Sequence, residues 1–318
     1  TLPPMFLKRI YIPLVLLAAA VSCSKEATLP PIDETKDLDG KLINDSSLQF
    51  PEAYLLSAAN PNPTAADLQK PVLILVHGFS ASTFEWAEFK EWLKPRTDVF
   101  SSVVLLGGHG RDYEDFRKAT WSDWQTPIVE EYNKLVALGY QRISIVASST
   151  GGPLVLNMIR RLPIHAAALK QVLLIDPIVI PGNKQLALIP GLKGVLPYTE
   201  TTIEKGEGGY WYKYRPAEAI QQLEKISRQE RMALEKGYTL PPGVKLKVYK
   251  SLHDDAVDPL SAVQLMKGLK HSDGSAIEVS MEHSKLHVFT RLRGRNTYND
   301  ADVMLQQRTF QDLYERAR

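Results

Sequence analysis

From Val72 onward the chain alternates short apolar runs with longer amphipathic stretches. "VLILV" (Val72–Val76) is bounded by Pro71 and by His77-Gly78. Five apolar residues in a row, with no polar alternation, predict a strand buried on both faces. "VFSSVVLLGGHG" predicts a second strand running into a glycine loop, and "RISIVA", "QVLLIDP", "VKLKVYK" and "AIEVSM" predict four more. Between them the period changes. "STFEWAEFKEWL" spaces Phe84, Phe89, Trp92 and Leu93 for one helical face, with Ser82 or Thr83 as its cap. "WSDWQTPIVEEYNKLVALGY" predicts a second helix closed by Gly139, and "PLVLNMIRRL" a third. A final helix is predicted over 301–317, and "EAYLLSAA" reads as an early strand.

Alternating strands and helices imply a mostly parallel sheet with helices on both faces. One segment, 181–243, breaks the rhythm with no good strand. It holds the apolar "NKQLALIPGLKGVL" and the helical "PAEAIQQLEKISRQERMALEKG". It is expected to be a cap inserted over the carboxyl edge of the sheet, where ligands bind in open α/β folds.

The first residues follow another pattern. "MFLKRIYIPLVLLAAAVSC" places Lys8 and Arg9 before an apolar stretch from Ile10 to Val21 that ends in small residues. This is the layout of an export signal starting at Met5, covering 1–22. Cys23, the only cysteine, stands where the apolar stretch stops and resembles the lipobox cysteine of bacterial lipoproteins. The resemblance implies a lipidated Cys23 and a protein anchored in a bacterial cell envelope; a plain secretory signal would leave it secreted or periplasmic. Residues 23–46 are polar, charged and proline-containing, as a tether would be. The domain proper is then 47–318.

Composition adds exclusions. The chain has 318 residues, 44% hydrophobic and 23% charged, with a net charge of +2, so nothing in it favours nucleic acid. One cysteine permits no internal disulfide. The histidines lack metal-ligand spacing, no glycine-rich phosphate loop follows the first strand, and "HDDAVD" lacks the spacing of an EF-hand. No metal or cofactor is therefore expected, and the oligomeric state cannot be read.

The candidate chemistry begins at "VASSTGG". A tight strand-to-helix turn that presents a nucleophile needs small residues two before and two after it. Around Ser149 these are Ala147 and Gly151; around Ser148 they are the β-branched Val146 and Thr150. Ser149 is the candidate. Ala147, in place of a first glycine, departs from the G-x-S-x-G pattern. Downstream, "HDDAVDP" offers two aspartates after the fifth strand, and "MEHSKLHVFT" two histidines after the sixth.

Taken together, "LVHGFSAS", "GGHG", "VASSTGG", "HDDAVDP" and "SKLHVFT" resemble, in order and spacing, the carboxylesterase and monoacylglycerol lipase branch of the α/β-hydrolase superfamily, from about Val72 to the C-terminus. The resemblance implies an α/β-hydrolase fold with an inserted helical cap. It also implies a triad of Ser149, Asp254 and His287, with Asp255 as second choice for the acid and His283 as the lesser histidine. The oxyanion donors would be the backbone N–H groups of Phe79 and Thr150, with His77 structural. The function expected is hydrolysis of a carboxylic ester, of short to medium acyl chain or a monoacylglycerol. A thioesterase, a peptidase, a C–C bond hydrolase or a non-catalytic surface-binding lipoprotein are the alternatives on the same scaffold.

Overall fold

The computed structural model describes residues 56–111, 113–161, 166–182 and 198–318. The expected signal (1–22), the tether (23–46), Cys23 and the apolar part of the expected cap (183–196) lie outside the described residues.

Six strands make the central sheet: β1 (Val72–Val76), β2 (Phe100–Val104), β3 (Ile143–Ser148), β4 (Leu169–Ile175), β8 (Lys245–Ser251) and β10 (Glu278–Glu282). Their order is β10-β8-β4-β3-β1-β2, and every neighbouring pair is parallel. Parallel neighbours require crossovers, so both faces are covered. The short pair β5 (Tyr198–Glu200) and β6 (Tyr214–Pro216) is antiparallel, and β7 (Tyr238–Thr239) pairs with β9 (Leu269–Lys270). Three of these short strands fall within 181–243, where the sequence predicts none; two or three residues carry no periodicity to read.

The helices are α1 (Leu56–Ala59), α2 (Ala65–Leu68), α3 (Ala87–Leu93, entered through a 3₁₀ turn at Thr83–Trp86), α4 (Tyr113–Lys118), α5 (Trp121–Leu138), α6 (Gly151–Arg161), α7 (Ala217–Lys236), α8 (Leu260–Gly268) and α9 (Asp300–Ala317). The segment "EAYLLSAA" ends in α1, not in a strand. Alternate residues of β1 sort the core into two halves, as the two-residue period of a strand requires. Val72, Ile74 and Val76 join one cluster with α5, α6, α7 and α8, while Leu73 and Leu75 join Trp86, Phe89, Phe310 and Leu313 beneath α3 and α9.

The expected cap divides. Helix α7 buries Ala219, Leu223, Ile226 and Leu234 in the same cluster as α5 and α6, and Glu230 on it accepts from Asn157 and pairs with Arg160 of α6. It is therefore a layer helix on the sheet face rather than a lid. Amphipathic spacing shows which face of a helix is buried but not which layer it joins. The preceding residues 210–216 behave differently: Tyr212 N–H donates to Ser80 O at 2.9 Å, so this stretch lies against the loop that leaves β1.

Candidate active site

Ser149 follows β3 directly with φ of 47°, a left-handed conformation uncommon for a residue with a side chain. The turn is held by close packing. A Cβ on Gly151 would lie 3.0 Å from Val76 Cγ1, and one on Gly152 would lie 2.7 Å from Pro177 Cβ. The residues after Ser149 must therefore be small, and Ala147 is fully buried without requiring glycine's freedom.

Two hydrogen bonds complete a chain from this serine. His287 Nε2 is 2.9 Å from Ser149 Oγ, and His287 Nδ1 is 2.8 Å from Asp254 Oδ2. A carboxylate can only accept, so Nδ1 carries the proton and Nε2 is left to accept from the serine hydroxyl. Asp254 Oδ1 accepts from the Ala256 and Val257 N–H groups at 2.8 and 3.2 Å, which orients the carboxylate. Asp255 is exposed, with its carbonyl packed against Gly182, and His283 is exposed as well. Ser148 points elsewhere: its hydroxyl bonds to Glu85 and to Val76 O.

The loop after β1 adjoins the serine. A Cβ on Gly78 would lie 2.9 Å from Ser149 Cβ, so only glycine permits this approach and brings Phe79 beside the turn. Among the described residues neither the Phe79 nor the Thr150 backbone N–H donates to an acceptor. His77 is fully buried, accepts from Leu106 N–H through Nε2 at 3.0 Å and donates through Nδ1 to Gly78 O at 2.9 Å. Burial pushes its pKa down to about 4, so it is a neutral tie between the β1 and β2 exits. Glu85, buried beneath the same loop, accepts from Gly78 N–H at 3.1 Å.

The sequence reading missed a second tier. Lys250 is fully buried and bridges two carboxylates, Asp254 at 2.7 Å and Asp176 at 2.9 Å. Asp176, which follows β4 directly with φ of 46°, also accepts from Ser251 N–H at 2.7 Å and Val288 N–H at 2.9 Å. Ser251 Oγ in turn donates to Leu286 O at 2.8 Å. One buried network thus ties the exits of β4, β8 and β10 together and fixes the loop that carries His287. Burial alone would raise the pKa of Asp254, but His287 and Lys250 outweigh it and hold the carboxyl well below the usual range. Asp176, Asp254 and His287 converge closely enough to suggest a metal site, yet the Lys250 ammonium already lies between the two carboxylates. The signal for Lys250 was a parity break. Leu246 and Val248 face the core, so position 250 should be apolar, and it is lysine.

No protein-family model and no curated protein matches the sequence. Solved structures do match. One is from a study of two metagenome-derived lipolytic enzymes, LipS and LipT (TM-score 0.61, 19% identity, covering 78% of this chain and 95% of that one). Another is a soluble variant of monoglyceride lipase from Saccharomyces cerevisiae in complex with a substrate analog (TM-score 0.60, 14% identity, 80% and 89% covered). A third is a monoacylglycerol lipase from Paleococcus ferrophilus (TM-score 0.57, 12% identity, 78% and 96% covered). The fold is that of the α/β-hydrolases. Within an α/β-hydrolase fold, the carboxyl ends of β3, β8 and β10 place a hydroxyl, a carboxylate and an imidazole in line, and among the described residues the Phe79 and Thr150 N–H groups have no acceptor. Such an arrangement can deprotonate the serine as it attacks and can stabilise an oxyanion next to it.

Proposed function

We propose that this protein is a serine hydrolase of carboxylic esters. The observation that carries the reading is the continuous hydrogen-bonded chain Ser149–His287–Asp254 at a left-handed strand-to-helix turn. Ser149 Oγ attacks the ester carbonyl while His287 Nε2 takes its proton, and Asp254 holds the imidazole in the required tautomer. The Phe79 and Thr150 N–H groups receive the developing oxyanion. Collapse expels the alcohol, which takes the proton from His287, and leaves an acyl-enzyme. Water, deprotonated by the same imidazole, then releases the acid and restores Ser149. Each loss of one oxyanion donor from such a site lowers the rate by about 10²- to 10³-fold.

A short- to medium-chain ester or a monoacylglycerol is the substrate class this reading favours, supported by the lipolytic enzymes and monoacylglycerol lipases among the structural neighbours. The test is labelling with a fluorophosphonate probe. Wild type should label, Ser149→Ala should not, and turnover of p-nitrophenyl butyrate should fall by about 10⁶ in Ser149→Ala if the three residues act as a unit. Unchanged labelling in Ser149→Ala, or its loss in Ser148→Ala instead, overturns the assignment.

The same proposal includes the anchor: cleavage before Cys23, lipidation of its sulfur, and a tether that leaves the hydrolase domain outside the membrane. Among the described residues no helix is long and apolar enough to cross a bilayer, and one acyl chain binds only marginally, so a diacylglyceryl group suits attachment. Mass spectrometry of the mature N-terminus decides it. A modified Cys23 is expected, and an unmodified terminus cut elsewhere removes the anchor.

A further inference from the structure

Arg215 lies on β6, where the chain runs past the loop leaving β1. Its guanidinium carbon is 5.9 Å from the centre of the Phe79 ring. Two arginines that follow His287 have acceptors. Arg291 pairs with Glu207 Oε1 at 2.6 Å, and Arg295 donates to the carbonyls of His287 and Arg291. Among the described residues no carboxylate pairs with Arg215, and its Nε, like that of Arg291, is buried without an acceptor. Glu207 is the carboxylate that acts on it electrostatically, but one Glu207 oxygen holds Arg291 and the other accepts from Glu204 N–H at 2.9 Å. Burial, uncompensated, pushes the Arg215 pKa down to about 10.

A half-hidden guanidinium with no anion is an unfavourable arrangement in a folded protein unless something else supplies the anion. Its position indicates what does. Phe79 follows Gly78, which abuts Ser149, and its ring lies near Arg215. Tyr212, three residues before Arg215, is fixed by its N–H to Ser80 O, by its hydroxyl to Arg111 O at 2.9 Å, and by stacking on Phe116. The backbone segment that carries Arg215 is therefore anchored to the loop leaving β1.

We infer that Arg215 binds an anionic group carried by the ester substrate, a carboxylate a few bonds from the scissile carbonyl, as in a half-ester of a dicarboxylic acid. The inference rests on the ester hydrolase reading above. The planar fork of arginine matches a carboxylate with two parallel hydrogen bonds.

The experiment compares matched pairs of substrates with the wild-type chain first. Monomethyl adipate is set against methyl hexanoate for an anion on the acyl side, and butyryloxyacetate against ethyl butyrate for one on the alcohol side. In at least one pair the anionic ester should be preferred by about 10- to 100-fold in kcat/KM, the worth of a hydrogen-bonded charge, with the gain mainly in KM. Arg215→Met should bring that ratio close to one, and Arg215→Lys should leave an intermediate ratio. Equal handling of both members of both pairs by wild type overturns the inference without any variant, as does a ratio untouched by Arg215→Met. Hydrolysis through Ser149 with no anion preference would leave the esterase reading standing and remove only Arg215. No hydrolysis of any ester, with no fluorophosphonate label, would remove both.

Discussion

Lys250 is the residue on which the site's electrostatics turn. Two fully buried carboxylates, Asp176 and Asp254, share one ammonium, so removing it leaves uncompensated charge in the core. Lys250→Met should destabilise the fold by about 3–5 kcal/mol, measured by urea unfolding. The deficit should shrink as pH falls and Asp254, which Lys250 helps hold below the usual range, takes up a proton. Glu85 behaves oppositely. Burial raises its pKa, so its contribution to stability is complete below the unfolded value and is lost as pH rises through the raised folded value. Glu85→Gln keeps an acceptor for Gly78 N–H but cannot ionise. Melting temperatures should therefore separate with rising pH, the variant becoming the more stable, and should converge in acid. At this scale the sequence was legible where sterics decide. Ser149 over Ser148 follows from the size of the flanking residues, and the structure brings Ser149, not Ser148, against His287. Asp176, Lys250 and Glu85 were not legible, because their importance comes from what they meet 63 to 75 residues away.

Among elements, the turn between β3 and α6 has the least tolerance. Gly152 packs its Cα against Pro177, the residue after Asp176, and an added methyl would arrive 2.7 Å from the proline Cβ. Gly152→Ala should cost about 1–3 kcal/mol by overpacking and displace the exit of β4, and with it Asp176. A drop in melting temperature together with a lower rate toward p-nitrophenyl butyrate would register both effects. The long elements were readable from the sequence. Each of the six central strands falls on a segment whose pattern predicts a strand, and α5, α6 and α9 lie where the helical period places them, α5 despite Pro127 within it. The short helices α4 and α8 were not read, since six and nine residues beside loops give little period to find. The place of α7 was misread for a different reason: a gap in the strand rhythm marks an insertion but does not say where the insertion packs.

For the whole molecule, the site is distributed along the chain. Ser149 lies 138 residues from His287, and His287 lies 33 from Asp254. The last piece is supplied late: Ser284, three residues before His287, is held by its hydroxyl donating to Asp302 Oδ1 in α9 at 3.1 Å. Every strand pair in the central sheet is parallel, so each waits on a crossover before it can form, and such non-local pairing is slow. During refolding, helical content should therefore return before turnover does, because no earlier intermediate holds serine, imidazole and carboxylate together. Stopped-flow circular dichroism beside an esterase assay would show the lag. On the proposed reading, this chain would stay catalytically silent until α9 has docked, so a chain still unfolded on its way out of the cell could attack no ester it met there.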